Sequence, residues 1–242
     1  MKVDPSSRIV WVTGASSGIG MALAEEFALR GDSVIATARR RGKLASLRRA
    51  IMERGGACEV EACDIRSGKA VLSTNRRILR SHGRLDVLIN NAGATAFTEF
   101  LATSEKAFDE VIDTNLRGMF LTTRSVLPAM LDRGKGLILN ILSYAAKVTY
   151  TKSAAYSASK AGGEAMMNAL RAELRGKGIQ VINVFPGAVA TSMWPSKFRK
   201  RHARTMMSAQ DIARLVYTAT IQPPPVMVEE LVIRPQHGDL RV

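Results

Sequence analysis

Short runs of apolar residues alternate along this chain with longer stretches in which apolar residues recur every three or four positions. The runs are rich in Val, Ile and Leu without polar alternation, which is typical of strands covered on both faces of a sheet. They predict strands at 8–13, 33–38, 57–62, 86–90, 137–142, 179–185 and 227–233. The periodic stretches predict helices at 18–30, 42–54, 68–81, 104–131, 154–175 and 208–220.

This β-α-β alternation predicts an α/β fold with a doubly wound parallel sheet of about seven strands flanked by helices. At 242 residues the chain is long enough to bury a substantial core. The sequence contains no internal repeat, low-complexity tract or linker. We therefore expect a single domain over residues 1–242.

Composition favours an ordinary globular protein, with 46% hydrophobic and 5% aromatic residues. No run approaches the roughly 18 apolar residues of a membrane span. The N-terminal residues enter the first strand almost at once, which leaves no room for a signal peptide. We expect a cytoplasmic protein without a membrane partner. Cys58 and Cys63 lie on either side of a predicted strand segment and are expected to be reduced thiols, and no metal site is expected.

The formal charge is +14, with basic clusters at 39–49, 76–84 and 197–204. Such a charge could attract nucleic acid, an anionic membrane or an acidic protein. The alternative is a set of solvated helix faces together with a site for a phosphorylated cofactor. No nucleic-acid-binding motif and no interleaved aromatic residues accompany the clusters. We therefore expect no nucleic-acid partner.

The segment TGASSGIG, residues 13–20, joins the first predicted strand to the first predicted helix. Its glycines are Gly14, Gly18 and Gly20, and its hydroxyl side chains include Ser16 and Ser17. Glycine lets the backbone approach a pyrophosphate closely, and a helix N-terminus presents free N–H groups to that anion. A tight strand-to-helix connection is the structural alternative. The strand–turn–helix context favours a dinucleotide phosphate site.

The second strand ends without the acidic residue that usually binds the ribose hydroxyls of NAD. Ala38 stands there, followed by Arg39, Arg40 and Arg41. An arginine fork suits a 2′-phosphate. We predict NADP rather than NAD, with Arg39 as the main candidate, although one or two of these arginines could simply begin a solvated helix.

Tyr156 and Lys160 stand four residues apart in YSASK, on one face of a predicted helix. A phenol beside an ammonium group is suited to proton transfer, because the positive charge favours the phenolate. The spacing alone could equally describe a surface pair. Ser143 lies upstream at the end of a predicted strand, where such folds place ligand-binding groups.

Taken together, these motifs resemble the short-chain dehydrogenase/reductase family in its compact branch, over nearly the whole chain. The matching segments, in family order, are TGASSGIG, Asp64 in CDI, Asn90–Gly93 as NNAG, Asn115 in DTNLRG, Ser143, Tyr156 with Lys160, and the PGAVAT turn at 186–191. The resemblance implies a Rossmann-type fold and a nicotinamide cofactor. Asp64 would bind the adenine amino group, NNAG would border the ribose, and Val189 and Thr191 would hold the carboxamide.

The cofactor contacts expected on these grounds are Gly14, Ser16, Ser17, Gly18, Ile19, Gly20, Arg39, Arg40, Asp64, Ile65, Asn91, Ala92, Gly93, Tyr156, Lys160, Pro186, Gly187, Val189 and Thr191. By the same resemblance Tyr156 would exchange the proton and Ser143 would hydrogen-bond the substrate oxygen. Lys160 would depress the Tyr156 pKa and grip the ribose. Asn115 would hold a water that links Lys160 to solvent.

The basic segment after PGAVAT, at about 192–207, is where the family carries a mobile substrate lid. The candidate substrate contacts are Ser143, Tyr144, Tyr156, Met193 and Trp194, and Lys147 also lies where substrate-facing residues are usual. Apolar lid residues surrounded by charge would suit a hydrophobic carbonyl compound with an acidic group. Alternatively, the apolar residues pack inward and the charges face water.

Small residues along 154–175 permit close helix packing, and the family usually pairs this helix in a homodimer or homotetramer. The favoured function is an NADP(H)-dependent oxidoreductase that acts on a small carbonyl or secondary alcohol. A catalytically silent NADP(H)-binding regulator is the alternative. Nucleic-acid binding is supported by charge alone.

Overall fold

The computed structural model describes residues 7–238 and contains a seven-stranded sheet whose paired strands all run parallel. The strands are β1 (Ile9–Thr13), β2 (Ser33–Ala38), β3 (Ala57–Ala62), β4 (Val87–Asn90), β5 (Gly136–Ile141), β6 (Ile179–Pro186) and β7 (Glu230–Ile233). Their order across the sheet is β3-β2-β1-β4-β5-β6-β7. The predicted doubly wound parallel sheet is confirmed, and each strand lies within three residues of its predicted bounds.

Helices cover both faces of this sheet. They are α1 (Gly18–Leu29), α2 (Arg41–Glu53), α3 (Gly68–His82), α4 (Glu105–Ile112), α5 (Gly118–Arg133), α6 (Ala154–Glu173), α7 (Ser196–Arg201) and α8 (Ala209–Ala219). Along β1, Val10 and Val12 pack in a core with α1, α2 and α8, whereas Ile9 and Trp11 pack in a second core with α3, α5 and α6. Burial on both faces explains why the strands read as continuous apolar runs.

The predicted helix at 104–131 is wrong in one respect, because it is interrupted. The π-helical turn Asp113–Arg117 separates α4 from α5. In this turn the Gly118 N–H donates to the Asp113 carbonyl, five residues back. The wider turn holds Asn115 in the interior, where its side chain hydrogen-bonds to other elements. Apolar periodicity cannot reveal such a local insertion, and π turns are frequent at functional sites.

The sheet reverses its winding between β1 and β4, which are neighbours although two strands separate them in sequence. Val10 pairs with Val34 on one side and with Val87 on the other. The connections leave these two strands in opposite directions, which opens a crevice at their carboxyl ends. The glycine-rich loop and the NNAG segment both begin there, so the topology brings the sequence motifs together.

Cys58 and Cys63 are buried free thiols, as predicted. Within residues 7–238, no helix combines the length and the apolar character needed to cross a bilayer.

Candidate active site

The glycine-rich loop packs directly against the NNAG segment. A Cβ at Gly14, whose φ is +68°, would lie 2.6 Å from the Ala92 Cα, and a Cβ at Gly20 would lie 2.2 Å from the Asn91 Nδ2. The Asn91 side chain donates to the Thr13 carbonyl at 2.9 Å, and the Thr13 hydroxyl accepts from the Asn91 N–H at 3.0 Å. The strand ends and the loop are therefore locked together, and glycine is required where they meet.

The same loop also approaches the PGAVAT turn. A Cβ at Gly18, where α1 begins, would lie 3.1 Å from the Thr191 Cγ2. Ser17 precedes α1 without capping it through its side chain, so the first-turn N–H groups, including that of Ile19, have no cap from this residue. The loop, NNAG and PGAVAT segments thus pack closely, and a side chain at Gly14 or Gly20 would collide with the neighbouring segment. The close packing holds the N-terminus of α1, whose free N–H groups suit a pyrophosphate, at the crevice.

Arg40, rather than Arg39, lies on the loop. Its Nη2 donates to the Ser16 hydroxyl at 2.9 Å and to the Ser17 hydroxyl at 3.0 Å. Arg39 points instead toward Glu110, with its Nη1 4.0 Å from a carboxylate oxygen, and both of these side chains are largely exposed. Arg40 therefore carries positive charge at the phosphate loop, whereas Arg39 lies where α4 borders the crevice.

Asp64 and Ile65 follow β3 at the predicted adenine end of the site. Arg66 donates to both Asp64 carboxylate oxygens, from Nε at 3.0 Å and from Nη2 at 2.6 Å. This hydrogen bonding holds the Asp64 pKa below its usual value against the opposing effect of partial burial. The Ile65 side chain is buried and packs against Gly118. Of the predicted adenine-binding pair, Asp64 has the more exposed side chain, at 35%, and it is held by Arg66.

Tyr156 and Lys160 lie one turn apart on the buried face of α6, as their spacing predicts. Ser143 directly follows the end of β5, and its hydroxyl accepts from the Ala145 N–H at 3.1 Å. Burial raises the pKa of the Tyr156 phenol, and a hydrogen bond with the Ser143 side chain opposes that rise. The phenol and the serine hydroxyl are therefore neighbours, and the phenol is protonated at neutral pH.

Lys160 lies one helical turn from Tyr156, and the expectation that it depresses the pKa of the phenol stays a prediction. Its Nζ donates to the Ile141 carbonyl at 2.8 Å and lies 5.7 Å from the centre of the Tyr156 ring. Burial lowers the pKa of the Lys160 ammonium to about 8. The ammonium is engaged by a backbone carbonyl rather than by the phenol, so burial dominates the titration of both groups.

Asn115 connects the π turn to the site through its side chain. Its Oδ1 accepts from the Ala94 N–H at 2.7 Å, and its Nδ2 donates to the Ala94 carbonyl and to the Ser159 hydroxyl, both at 2.9 Å. A Cβ at Gly93 would lie 3.4 Å from the Asn115 Oδ1 and 3.9 Å from the Lys160 Nζ. The amide thus fastens the loop after NNAG to α6.

The PGAVAT turn begins at the end of β6. The Gly187 N–H donates to the Ile233 carbonyl at 2.8 Å, which places Pro186 and Gly187 at the carboxyl edge of the sheet. Val189 is buried and forms an isolated parallel bridge with Met207. The predicted lid segment is therefore fixed at its base, and α7 lies within it.

An aromatic residue that sequence reasoning missed lies on Tyr156. Phe97, in the loop after β4, packs edge-on against the Tyr156 ring with centroids 5.8 Å apart. Trp194 stacks on the other side of Phe97, and Phe198 of α7 stacks on Trp194. Phe97 belongs to no periodic segment and to no motif, so the sequence carried no signal for it.

The remaining predicted substrate contacts lie in different surroundings. Tyr144 follows Ser143, and its ring lies 4.2 Å from the Arg234 guanidinium, while Met193 is substantially exposed on the lid segment. Lys147 pairs its ammonium with Glu164 and Glu230, where α6 approaches β7, and the expectation that it faces substrate stays a prediction.

Within the described range, residues 7–238, no three His, Cys, Asp or Glu side chains cluster in a way that could hold a metal ion.

A family model for short chain dehydrogenase matches residues 8–202. The chain belongs to the short chain dehydrogenase family. This is a family of oxidoreductases, and the resemblance inferred from the motifs is confirmed at the level of the family.

Three similar proteins cover nearly the whole chain. An uncharacterised oxidoreductase of Staphylococcus saprophyticus is 33% identical over 234 residues, which are 96% of this chain and 99% of that protein. A metagenomic short-chain oxidoreductase solved in complex with NADP is 34% identical, with a TM-score of 0.84 over 95% of this chain and 97% of that chain. A variant of actinorhodin polyketide ketoreductase solved with NADPH is 30% identical, with a TM-score of 0.90 over 99% of this chain and 100% of that chain.

Proposed function

We propose that this short chain dehydrogenase is an NADP(H)-dependent oxidoreductase that transfers a hydride between nicotinamide and a carbonyl or secondary alcohol. The observation that carries the proposal is the buried Tyr156 phenol, hydrogen-bonded with Ser143 and placed one helical turn from Lys160. This group lies at the carboxyl edge of the sheet, beside the glycine-rich loop. In this proposal the proton donor therefore lies next to the dinucleotide site.

The residues that would hold the cofactor line that crevice. The loop of Gly14, Gly18 and Gly20 receives the pyrophosphate at the start of α1, where the first-turn N–H groups are free to bind an anion. Arg40, with Arg39 at the border of the crevice, supplies the positive charge that a 2′-phosphate requires. The NADP and NADPH complexes of the similar structures support this choice of cofactor.

The nicotinamide, when bound, supplies or accepts the hydride. Tyr156 supplies the proton for reduction, because burial keeps its phenol protonated at neutral pH. Ser143 donates a hydrogen bond to the carbonyl oxygen and stabilises the negative charge that develops there. Lys160 contributes a positive charge beside the expected position of the nicotinamide ribose. Asn115 holds the loop at Gly93 and Ala94, which packs close to the Lys160 ammonium.

The substrate proposed for this site is a small carbonyl compound or its secondary alcohol. The polyketide ketoreductase among the similar structures supports a ketone. The principal rival is a protein that binds NADP(H) without catalysis, and Tyr156→Phe separates the two because it removes one oxygen atom and preserves the ring.

The test combines turnover with cofactor binding. NADPH oxidation at 340 nm is followed against a panel of ketones, aldehydes and quinones, and NADPH affinity is measured by fluorescence titration. In Tyr156→Phe we expect kcat to fall about 10²- to 10⁴-fold, with the NADPH dissociation constant within about twofold of wild type.

The matched control is Tyr217→Phe, which removes the same oxygen on α8, away from the crevice. It should leave turnover unchanged. Turnover that survives in Tyr156→Phe would disprove the role of the phenol, and tight NADPH binding without turnover on any substrate would favour the binding-only protein.

A further inference from the structure

Four aromatic rings form a continuous row outward from the proposed proton donor, in which Phe97 meets Tyr156 edge-on and the outer three rings are stacked. We refer to Tyr156, Phe97, Trp194 and Phe198 as the aromatic stack. Phe97 and Trp194 lie almost parallel, with an interplanar angle of 15° and centroids 5.7 Å apart. Trp194 and Phe198 are also nearly parallel, at 18° and 5.0 Å. Nearly parallel rings at these centroid distances are offset, so that the positive edge of one ring lies over the negative face of the other.

The two central rings come from separate parts of the chain. Phe97 belongs to the loop after β4, and Trp194 belongs to the segment that leaves β6 and returns at the Val189–Met207 bridge. That bridge fixes the base of the segment, whereas Trp194 and the short helix α7 lie beyond it. Phe97 keeps 43% of its surface exposed despite its two ring contacts. The stack is thus a contact between two loops at the entrance to Tyr156.

We infer that Phe97 and Trp194 select flat, conjugated carbonyl compounds, whose ring lies against Phe97 and is covered by Trp194. This inference rests on the proposed function, because it places the substrate beside Tyr156. A planar ring replaces the direct Phe97–Trp194 contact with two contacts of the same kind. A saturated ring of equal size presents axial hydrogens and cannot stack face to face, so it separates the two aromatic rings without that compensation.

The basic residues of α7 do not create this selectivity. Lys197, Arg199, Lys200 and Arg201 surround Phe198 in sequence, and α7 is a short, exposed helix. Charge can attract an anionic substrate, but it does not distinguish an aromatic from a saturated ring. Selectivity for planarity therefore belongs to Phe97 and Trp194.

Acetophenone and cyclohexyl methyl ketone provide a matched pair of probes, because they share carbon count and carbonyl position, whereas only acetophenone has a planar ring conjugated with the carbonyl. Conjugation also changes the intrinsic reactivity of the carbonyl, but that difference is the same for every variant, so the change in the ratio between variants reports the protein. The ratio of their kcat/KM values is measured with NADPH for wild type, Phe97→Leu and Trp194→Leu. Leucine retains apolar volume and removes the flat face. We expect wild type to favour acetophenone and each substitution to reduce the ratio about three- to tenfold.

Phe108→Leu is the matched control, since Phe108 is an exposed aromatic residue of α4 outside the stack. It should leave the ratio at the wild-type value. A ratio that stays within twofold of wild type in both Phe97→Leu and Trp194→Leu would overturn the inference, even if overall turnover falls, because equal losses on both ketones describe a lid without selectivity.

A binding measurement separates this inference from the proposed function. Trp194 and the fully buried Trp11 are the two tryptophans of the chain, so a saturable change in tryptophan emission on titration with each ketone, without cofactor, reports contact at Trp194, whereas collisional quenching rises linearly with concentration. Selective binding of acetophenone that is lost in Phe97→Leu, without turnover of either ketone or of any other member of the ketone, aldehyde and quinone panel, would support the aromatic site and contradict the oxidoreductase. Turnover without selectivity for acetophenone would support the oxidoreductase and contradict the aromatic site. If neither turnover nor selective binding is seen, both proposals are contradicted.

Discussion

The proposed proton donor and its neighbouring lysine share an environment that opposes charge on both. Tyr156 and Lys160 are buried on the same face of α6, and burial raises the first pKa and lowers the second. Lys160 is retained there by the Ile141 carbonyl, which accepts from its ammonium. A neutral phenol is ready to donate a proton, whereas a lysine with a pKa of about 8 changes charge just above neutral pH.

Cofactor affinity should therefore weaken as the pH rises through about 8, because Lys160 loses its positive charge there. Fluorescence titration of NADPH between pH 7 and 10 measures this effect. In Lys160→Arg the side chain stays charged over that range, so the decline near pH 8 should disappear. An unchanged decline in Lys160→Arg would show that another group titrates.

The same shift affects stability in a defined direction. The folded pKa of about 8 lies below the ordinary value of 10.5, so between these values the unfolded chain binds more protons at this group. The contribution of Lys160 to the free energy of unfolding is thus most unfavourable below pH 8 and diminishes as the pH rises toward 10.5. The free energy of unfolding is measured by urea denaturation for wild type and for Lys160→Met at several pH values. The wild-type value minus the variant value should rise between pH 8 and 10.5.

Two short elements decide how the motifs meet. The π turn Asp113–Arg117 inserts an extra residue between α4 and α5, and it holds Asn115 in contact with Ala94 and Ser159. The junction between β2 and α2 sends Arg40 back onto the phosphate loop and Arg39 toward Glu110. In the first case one inserted residue turns Asn115 toward the site. In the second case two consecutive arginines point in different directions, and only Arg40 contacts the glycine-rich loop.

The β2–α2 junction predicts a division of labour in cofactor choice. Because Arg40 already hydrogen-bonds at the loop, Arg40→Ala should weaken NADPH binding roughly tenfold or more and leave NADH binding nearly unchanged. Arg39→Ala should have the smaller effect of the two. Titration of both cofactors measures the difference.

Arg49→Ala, on the exposed face of α2, removes the same charge away from the loop and serves as the control. A comparable loss of NADPH affinity in Arg49→Ala would point to net charge rather than to a 2′-phosphate site. Equal affinity for both cofactors in wild type and in both variants would disprove the NADP preference.

At the scale of the whole molecule, α6 has two faces with different tasks. The face with Tyr156, Lys160, Gly163 and Met167 packs on the sheet and forms the site. The opposite face exposes alanines at Ala154, Ala158, Ala161, Ala165, Ala169 and Ala172. On the adjoining α5, Phe120 and Leu131 are exposed as well. Small residues allow close helix approach, so we expect this surface to meet a second copy of the chain.

Ala161→Glu and Ala165→Glu should therefore reduce the oligomer, because they place charge and bulk where two helices would meet. Size-exclusion chromatography with light scattering should give a dimer or tetramer for wild type and a smaller species for these variants. Ala45→Glu, on the exposed face of α2, makes the same change elsewhere and should have no effect. A monomeric wild type at micromolar concentration would refute the expectation.

The sequence alone was sufficient to predict the sheet, the family and the segments that meet in the crevice. Strands buried on both faces lack polar alternation, and Tyr156 and Lys160 share a face through helical periodicity, so local pattern contains this information. The structure then placed the switch point between β1 and β4, where the glycine-rich loop and NNAG come together.

Only the tertiary structure decided the relations between distant residues. Three contacts depend on how loops cross in space: Phe97 with Trp194, Lys147 with Glu164 and Glu230, and Arg40 with Ser16 of the glycine-rich loop. The Tyr156 and Lys160 titrations likewise depend on burial, which is a property of packing. Periodicity describes which face a side chain occupies, whereas long-range packing determines what that face meets.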